Sequence, residues 1–263
     1  MNDKEKIQLF VNEINDIEDE KLKKFVIKLL LGAPEYFYTM PASSSKKYHP
    51  PFTRSEGGLI KHTRLAVFFA LNQAEALNFS KRECDLLTIS AIVHDILKQG
   101  NGKTKFTVFE HPKLASEYIM DMQSQYPTLI SKKDAKIIAD AVICHMGKYA
   151  HDKEYIKNND PLPLPSSSFQ QALHIGDLLA SRTQLLDFEF RPTEGVELNF
   201  QTDDLENMII ENCGNTVLQF GKHKGKTIKE IINIDKNYAK WFVENIDNKK
   251  EIKEKVKLYL ESV

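Results

Sequence analysis

The chain has only three cysteines, a single tryptophan and no long apolar run. Three widely spaced cysteines argue against a disulfide framework and against a paired-cysteine zinc site, and they favour a reducing cytoplasm. No stretch reaches the ~20 apolar residues that a membrane span requires, and the first residues carry mixed charge rather than a basic segment followed by an apolar one. We therefore expect a cytoplasmic protein that is neither exported nor inserted into a membrane.

Neither sign of charge dominates the sequence. The 36 lysines and arginines stand against 37 aspartates and glutamates, so the formal net charge is −1. This balance predicts no protein-wide attraction to nucleic acid or membrane, and any charged binding surface has to be local. A length of 263 residues with 41% hydrophobic residues suffices for one main domain and a small second one.

Apolar residues recur at spacings of three and four through most of residues 1–186, which predicts a mainly α-helical bundle there. A loop rich in proline and serine interrupts it over 36–58, and its aromatic residues argue against disorder. Residues 187–214 carry eight acidic side chains against one arginine, so we predict an acidic connector. Over 215–263 we predict a small α+β domain, with two short strands around a basic turn and then three helices.

The pair His94-Asp95 ends an apolar run in a helix that we predict to reach Lys98. Burying an imidazole and a carboxylate side by side is unfavourable without a partner, and a metal ion would be such a partner. The alternative is a histidine whose ring bonds a backbone carbonyl beside an aspartate on the helix surface.

Histidines concentrate in the half-buried helices. Five of the eight lie in these helices or at their ends, namely His62, His94, His111, His145 and His174. Facing helices of a bundle can gather such side chains into one interior site. The ligands that we predict for a first metal are His62, His94, Asp95 and Asp177. His111 and His145 would add a second metal, with Asp95 as the bridge.

Imidazole nitrogens combined with carboxylates suit Mn²⁺, Fe²⁺, Co²⁺ or Zn²⁺ better than Ca²⁺. Two such ions about 3.5–4 Å apart lower the pKa of a bridging water and clamp an in-line displacement at phosphorus. The pattern therefore predicts phosphoester hydrolysis. Asp95 and Lys98 are the expected catalytic residues, with the Lys98 ammonium as a point charge for the phosphate; a solvated lysine is the alternative.

Four further side chains are candidates for substrate contact. Arg64 follows His62 by two residues and Arg182 follows Asp177 by five. We expect both to bind phosphate at the rim, unless they are surface arginines without a partner. His49, in the loop, would contact substrate or have no role. His174 lies on the same helix face as the last predicted ligand and belongs near the site.

The spacing of His62, His94-Asp95 and Asp177 resembles the HD-domain metal-dependent phosphohydrolase superfamily over about residues 35–185. His111 and His145 match its dimetal subset. This resemblance implies an all-helical HD-type bundle around the metals.

Three segments are similar, more narrowly, to the HD-domain 3′-to-5′ exoribonuclease family. They are Pro41-Ala42, Tyr48-His49-Pro50 and the stretch from Gly57 to Thr63. The chain departs from that family in having Leu97 where a glycine is usual and in lacking a preceding OB-fold. The similarity implies 3′-to-5′ exonuclease activity with Mn²⁺, or with Fe²⁺, Co²⁺ or Mg²⁺ as alternatives.

The segment Phe220-Gly221-Lys222-His223-Lys224-Gly225-Lys226, with the aromatic pair Tyr238 and Trp241, resembles the small C-terminal domain of exodeoxyribonuclease X-type proteins. Eleven lysines against seven acidic residues leave an excess of four positive charges over 215–263. The basic turn, with Lys222 and Lys224, suits a phosphate backbone. A base stacked on Trp241 is conceivable, but we expect this side chain in the core of the small domain.

Together these features predict metal-dependent hydrolysis of phosphodiester bonds in a single-stranded nucleic acid. One alternative is a phosphohydrolase of mono-, cyclic or signalling nucleotides, which would not need the basic turn. Another is a nucleic-acid-binding module whose metal site is structural or inactive. No membrane partner is expected, and the sequence leaves the oligomeric state open.

Overall fold

The structure, a computed structural model, describes residues 1–43, 49–100, 102, 104–152, 156, 159–199 and 202–263. Its described part is mainly helical, as the sequence predicts, and contains no strand. None of the described helices is both long and apolar enough to cross a membrane. Tyr48, part of the loop motif singled out in the sequence, lies outside the described residues.

Two compact units make up the described chain. The larger unit is Gln8–Leu198, and the smaller unit combines Met1–Ile7 with Asn199–Val263. The segment predicted as an acidic connector, 187–214, contains most of the helix Thr202–Asn215. The three domain bounds drawn from the sequence remain a prediction.

Nine α-helices lie within the described part of the first 180 residues. They are α1 (Asp3–Gln8), α2 (Val11–Asn15), α3 (Glu20–Leu31), α4 (Tyr36–Thr39), α5 (Gly58–Ala76), α6 (Lys81–Val93), α7 (His111–Gln125), α8 (Lys132–Ile143) and α9 (Ser168–Ala180). Short 3₁₀ turns occupy Pro51–Thr53 and Gly147–His151. All but the last residue of α1 belong to the smaller unit.

Serine side chains start three of these helices. Ser80 and Glu83 form a reciprocal capping box at α6, and Ser167 and Gln170 do the same at α9. Ser131 accepts a hydrogen bond from a backbone N–H in the first turn of α8. Such caps satisfy N–H groups that the helix itself leaves without acceptors, so these helix starts are encoded locally.

A glycine sets the distance between α5 and α9, the most extensively packed helix pair. A Cβ atom added at Gly176 would lie 2.8 Å from the Ala66 carbonyl oxygen and 2.9 Å from the Ala70 Cβ. Because only a glycine fits this contact, α9 approaches α5 closely, and the residue after it, Asp177, lies beside His62.

Four helices follow in the smaller unit: α10 (Thr202–Asn215), α11 (Ile228–Ile234), α12 (Lys236–Asn245) and α13 (Lys250–Glu261). The last three correspond to the three predicted C-terminal helices. They enclose a small core of Ile228, Ile232, Ala239, Phe242 and Val256.

The predicted pair of strands in the smaller unit is wrong. Only an isolated antiparallel bridge joins Val217 to Thr227. Between them the chain turns tightly, because the N–H of Gly225 donates to the Leu218 carbonyl at 2.7 Å and Gly225 itself has φ +87°. The turn uses the residues that would otherwise extend the two strands, so the expected α+β domain is helical.

Gly176→Ala tests the close packing of α5 and α9. Helix propensity alone would stabilise an unhindered site by about 1 kcal/mol. Here the new Cβ would overlap backbone atoms, and overpacking costs about 1–3 kcal/mol, so we expect a net loss of stability and a Tm lower by several degrees in calorimetry. Ser168→Ala, at the exposed start of the same helix, is the control and should change the Tm little. A higher Tm for Gly176→Ala would contradict this packing.

Candidate metal centre

Side chains from the ends of four helices and the middle of a fifth meet in one buried cluster. His62 lies in the second turn of α5, His94 follows α6, His111 begins α7, His145 lies just beyond α8, and Asp177 lies within α9. The four histidines and Asp95 are at most 3% exposed, and the Asp177 side chain is 19% exposed. The structure thus brings together all six predicted ligands.

The helix that carries His94 is shorter than predicted. It ends at Val93, and the next residues form successive turns, with the N–H of Lys98 donating to the Asp95 carbonyl at 3.0 Å. The prediction of a helix reaching Lys98 was therefore wrong. Because the chain departs from the helical path after Val93, the consecutive side chains of His94 and Asp95 can both lie in the cluster.

One type of hydrogen bond orients three of the rings. The Nδ1 atoms of His94, His111 and His145 each lie 2.7 Å from the carbonyl oxygen three residues earlier in the chain. A carbonyl only accepts, so Nδ1 is the protonated nitrogen and Nε2 faces the cluster. The backbone carbonyl proposed as an alternative to a metal is therefore present, but it satisfies only one nitrogen of each ring.

The first group of ligand atoms surrounds Asp177. Its Oδ1 lies 3.1 Å from Nε2 of His62 and 3.6 Å from Nε2 of His94. The two Nε2 atoms are 3.3 Å apart. Oδ2 of Asp95 is 3.6 Å from Nε2 of His62 and 3.5 Å from Nε2 of His94.

The second group lies on the other side of the Asp95 carboxylate. Its Oδ1 is 3.0 Å from Nε2 of His111 and 3.7 Å from Nε2 of His145. Those two nitrogens are 3.3 Å apart. Each carboxylate oxygen of Asp95 therefore faces a different pair of histidines.

The surroundings of Asp95 and Asp177 keep both carboxyl groups ionised. Burial would raise the pKa of Asp95, but Lys98 and His94 outweigh it and hold this pKa well below its usual range. For Asp177, hydrogen bonds from His62 and His94, together with the charge of His94, outweigh burial and hold the pKa well below its usual range. Burial disfavours a charged His94, yet the two aspartates raise its pKa to about 10.

Burial favours the neutral form of two other rings, His62 and His145. Burial lowers the pKa of His62 despite the neighbouring Asp177. It also lowers the pKa of His145 to about 3, with a further contribution from His94. Neutral imidazoles are the form that binds metal ions.

These atoms fit a cation. Nε2 of His111, Nε2 of His145 and Oδ1 of Asp95 face one another at 3.0–3.7 Å, and each carries a lone pair when the rings are neutral. Lone pairs buried face to face repel unless a proton or a metal ion lies among them. The sets His62–His94–Asp177 and His94–Asp95–His145 each offer three donor atoms within 4.8 Å of one another. The clustered histidines and aspartates can therefore hold a divalent metal ion.

Two other predicted residues contact the cluster from outside. The Lys98 ammonium donates to Oδ2 of Asp95 and is almost fully buried. The His174 Nδ1 lies 2.7 Å from the His145 carbonyl oxygen, so His174 holds the backbone of a ligand. Gly147, which the sequence did not single out, makes room for it: a Cβ there would lie 2.2 Å from the His174 ring, and its φ is +55°. The signal available in the sequence was a glycine just beyond the end of a predicted helix.

His49 lies against the cluster as well. Its ring centroid is 4.9 Å from that of His62, and its Nε2 is 3.5 Å from the Ser181 hydroxyl. Burial, then the neighbouring His62, lowers the pKa of His49 to about 2. His49 can therefore offer hydrogen bonds but no positive charge.

The structure does not bring Arg64 to the cluster. Its Nε donates to Glu13 at 2.9 Å, and its terminal nitrogen donates to the Arg191 carbonyl at 2.9 Å. Glu13 is far away in sequence, so the spacing to His62 could not reveal this pairing. Arg182 is exposed, and its side chain has no polar partner within the described ranges.

The remaining candidates, Lys222 and Lys224, belong to the smaller unit. Lys222 forms an ion pair with Asp235 at 2.7 Å, and Lys224 is exposed. Trp241 is 48% exposed, so the prediction that it lies in the core was wrong.

Comparison with known protein families gave a match within the smaller unit. Residues 218–247 match a family model described as Exodeoxyribonuclease X-like C-terminal. The resemblance predicted for the C-terminal segment is thus confirmed over these residues. Comparisons with curated proteins and with solved structures found no match.

Asp95→Asn should weaken metal binding, whereas removal of a carboxylate from the protein surface should not. A metal ion at 100 times its Kd stabilises the folded chain by about 2.7 kcal/mol, or roughly 5 to 10 °C in Tm for a unit of this size. We expect this rise when Mn²⁺ is added to EDTA-treated protein, a smaller rise in Asp95→Asn, and a lower metal content by mass spectrometry.

The matched control is Asp140→Asn, which makes the same chemical change at an aspartate that pairs with Lys136 on the surface of α8 at 2.7 Å. It should behave as the unchanged protein does. Equal Tm rises in Asp95→Asn and Asp140→Asn would exclude Asp95 as a ligand.

Proposed function

We propose that this chain is a metal-dependent phosphohydrolase that cleaves phosphodiester bonds in single-stranded nucleic acid, as a 3′-to-5′ exonuclease. The observation that carries the proposal is the Asp95 carboxylate, whose two oxygens face two histidine pairs. The spacing of the ligands, which resembles the HD-domain superfamily, supports an HD-type bundle. The match of residues 218–247 to an exodeoxyribonuclease X-like family supports nucleic acid as the substrate.

We assign two cation positions to the cluster. The ligands of the first are His62, His94, Asp95 and Asp177, and those of the second are His111, His145 and Asp95. When bound, two divalent ions, Mn²⁺ or alternatively Fe²⁺, Co²⁺ or Mg²⁺, supply Lewis acidity and lower the pKa of a water molecule.

The residues of the chain supply the rest of the chemistry. The carbonyl bonds to Nδ1 hold three rings in place before substrate arrives, so little reorganisation is needed during reaction. The Lys98 ammonium, held on Asp95, provides a positive charge for an oxygen of the phosphate.

We also infer that the chain acts in a reducing compartment, the cytoplasm. All three cysteines are free thiols. Burial raises the pKa of Cys144 to about 12 and that of Cys213 to about 11, so neither is prone to oxidation.

The activity can be tested with 5′-labelled single-stranded RNA and DNA beside a panel of mono-, cyclic and signalling nucleotides, each with Mn²⁺, Fe²⁺, Co²⁺ or Mg²⁺. We expect the oligonucleotides to shorten progressively from the 3′ end. Asp95→Asn should lower the rate by at least about 100-fold, because it removes a ligand of both ions, whereas Asp140→Asn should not.

Two outcomes of that assay would replace the proposal. Turnover of nucleotides without turnover of oligonucleotides would indicate a nucleotide phosphohydrolase. Oligonucleotide binding without turnover of any substrate, in protein whose metal content is measured, would indicate a binding module with a structural metal site.

Lys98→Gln separates phosphate stabilisation from metal binding. At saturating metal we expect kcat to fall by about 100-fold, because a buried donor that stabilises charge at phosphorus contributes on this order. Lys98→Arg, which keeps the charge, should recover part of the loss. Lys113→Gln, at an exposed lysine of α7, is the control. A rise in KM at unchanged kcat would show that Lys98 binds substrate without stabilising the transition state.

A further inference from the structure

An exposed indole marks the smaller unit. Trp241, the single tryptophan of the chain, is 48% exposed, whereas Ala239 and Phe242 on the same helix are buried in the core. The indole lies against Tyr238, with ring centroids 5.7 Å apart and an interplanar angle of 32°. Large aromatic side chains left in water are typical of contact surfaces, because stacking on them removes apolar area from solvent.

The basic turn is fastened to this aromatic pair. Gly221 passes so close to Tyr238 that a Cβ would lie 2.6 Å from its hydroxyl oxygen, and the His223 ring packs against the Tyr238 ring at 4.7 Å. Asp235 accepts hydrogen bonds from Lys222 at 2.7 Å and His223 at 3.0 Å, and from the Tyr238 N–H at 3.1 Å. The turn and the start of α12 therefore form one continuous surface.

The lysines of this surface differ in their charge balance. Lys222 is neutralised by Asp235. Lys224 and Lys226 on the turn, and Lys240 beside Trp241, are exposed and form no salt bridge with a residue that the structure describes. The surface thus presents uncompensated positive charge around a flat apolar group.

This combination matches the chemistry of a single nucleic-acid strand. Lysines contact the phosphates, and aromatic rings stack on bases, which are accessible in a single strand but hidden in a duplex. The turn and the aromatic pair also lie within residues 218–247, the part that matches an exodeoxyribonuclease X-like family.

We propose that the smaller unit binds single-stranded nucleic acid on this surface, with a base stacked on Trp241 and phosphates on Lys224 and Lys226. The surface acts independently of the metal chemistry proposed above. It deepens the proposed function only by stating where the smaller unit holds the strand.

The single tryptophan makes stacking directly measurable. Full-length protein in EDTA, which prevents hydrolysis, is titrated with 12-nucleotide single strands of thymidylate and uridylate. We expect quenching of the tryptophan fluorescence that saturates at the same concentration as the anisotropy of a labelled strand. A duplex of the same length should quench less. Circular dichroism confirms that the protein stays folded in EDTA.

Substitutions assign the contacts. Trp241→Ala should weaken binding by about 10-fold, and Trp241→Phe should lose less because a ring remains. Lys224→Gln and Lys226→Gln should each reduce the slope of log K against log salt concentration by about 0.7. The control is Lys132→Gln, which removes the same charge from the exposed start of α8 and should leave binding unchanged.

The proposal is overturned if saturating oligonucleotide leaves the tryptophan fluorescence unchanged, or if Trp241→Ala, folded by circular dichroism, binds as tightly as the unchanged protein. Either result would point to a different occupant of the surface, such as a protein. The hydrolysis of bis(p-nitrophenyl) phosphate, a small phosphodiester, tests the metal chemistry separately. Its absence in metal-loaded protein would overturn the proposed function and leave this docking surface intact.

Discussion

The buried cluster depends on one short-range interaction, the hydrogen bond from a histidine Nδ1 to the carbonyl oxygen three residues earlier. It recurs at His94, His111 and His145, at a helix end each time. Each bond uses the proton on Nδ1 and leaves Nε2 directed inward. Because three rings are held this way, their Nε2 atoms converge, and the arrangement demands positive charge at its centre.

Charge balance follows from that convergence. Asp95 and Asp177 are nearly surrounded by protein, and a buried carboxylate is unfavourable without compensating charge. Lys98 and His94 supply such compensation in the metal-free protein, and divalent ions would supply more of it on the same atoms. His174 and Gly147 act indirectly. His174 bonds the backbone carbonyl of His145, and Gly147 leaves room for the His174 ring.

The candidate ligands could be predicted because each stands at a recognisable place in a helical pattern. Contacts between segments that are far apart in the sequence could not be predicted. Arg64 lies two residues after His62, but its guanidinium donates to Glu13, which is far away in the sequence. Trp241 was expected in the core, yet the helix turns it outward because Ala239 and Phe242 occupy the buried face. The expected strands fail because glycines at positive φ close the turn between them.

The sequence by itself determined the mainly helical class and the helix starts capped by Ser80, Ser131 and Ser167, because these depend on neighbours within a few residues. It also allowed the six candidate ligands to be named, but not their distances. Only the tertiary structure decided that the two oxygens of Asp95 face different histidine pairs and that Asp177 reaches His62. The distance between Asp177 and His62 follows from how closely α9 packs on α5 at Gly176. Packing between helices far apart in the chain leaves no periodic pattern in the sequence.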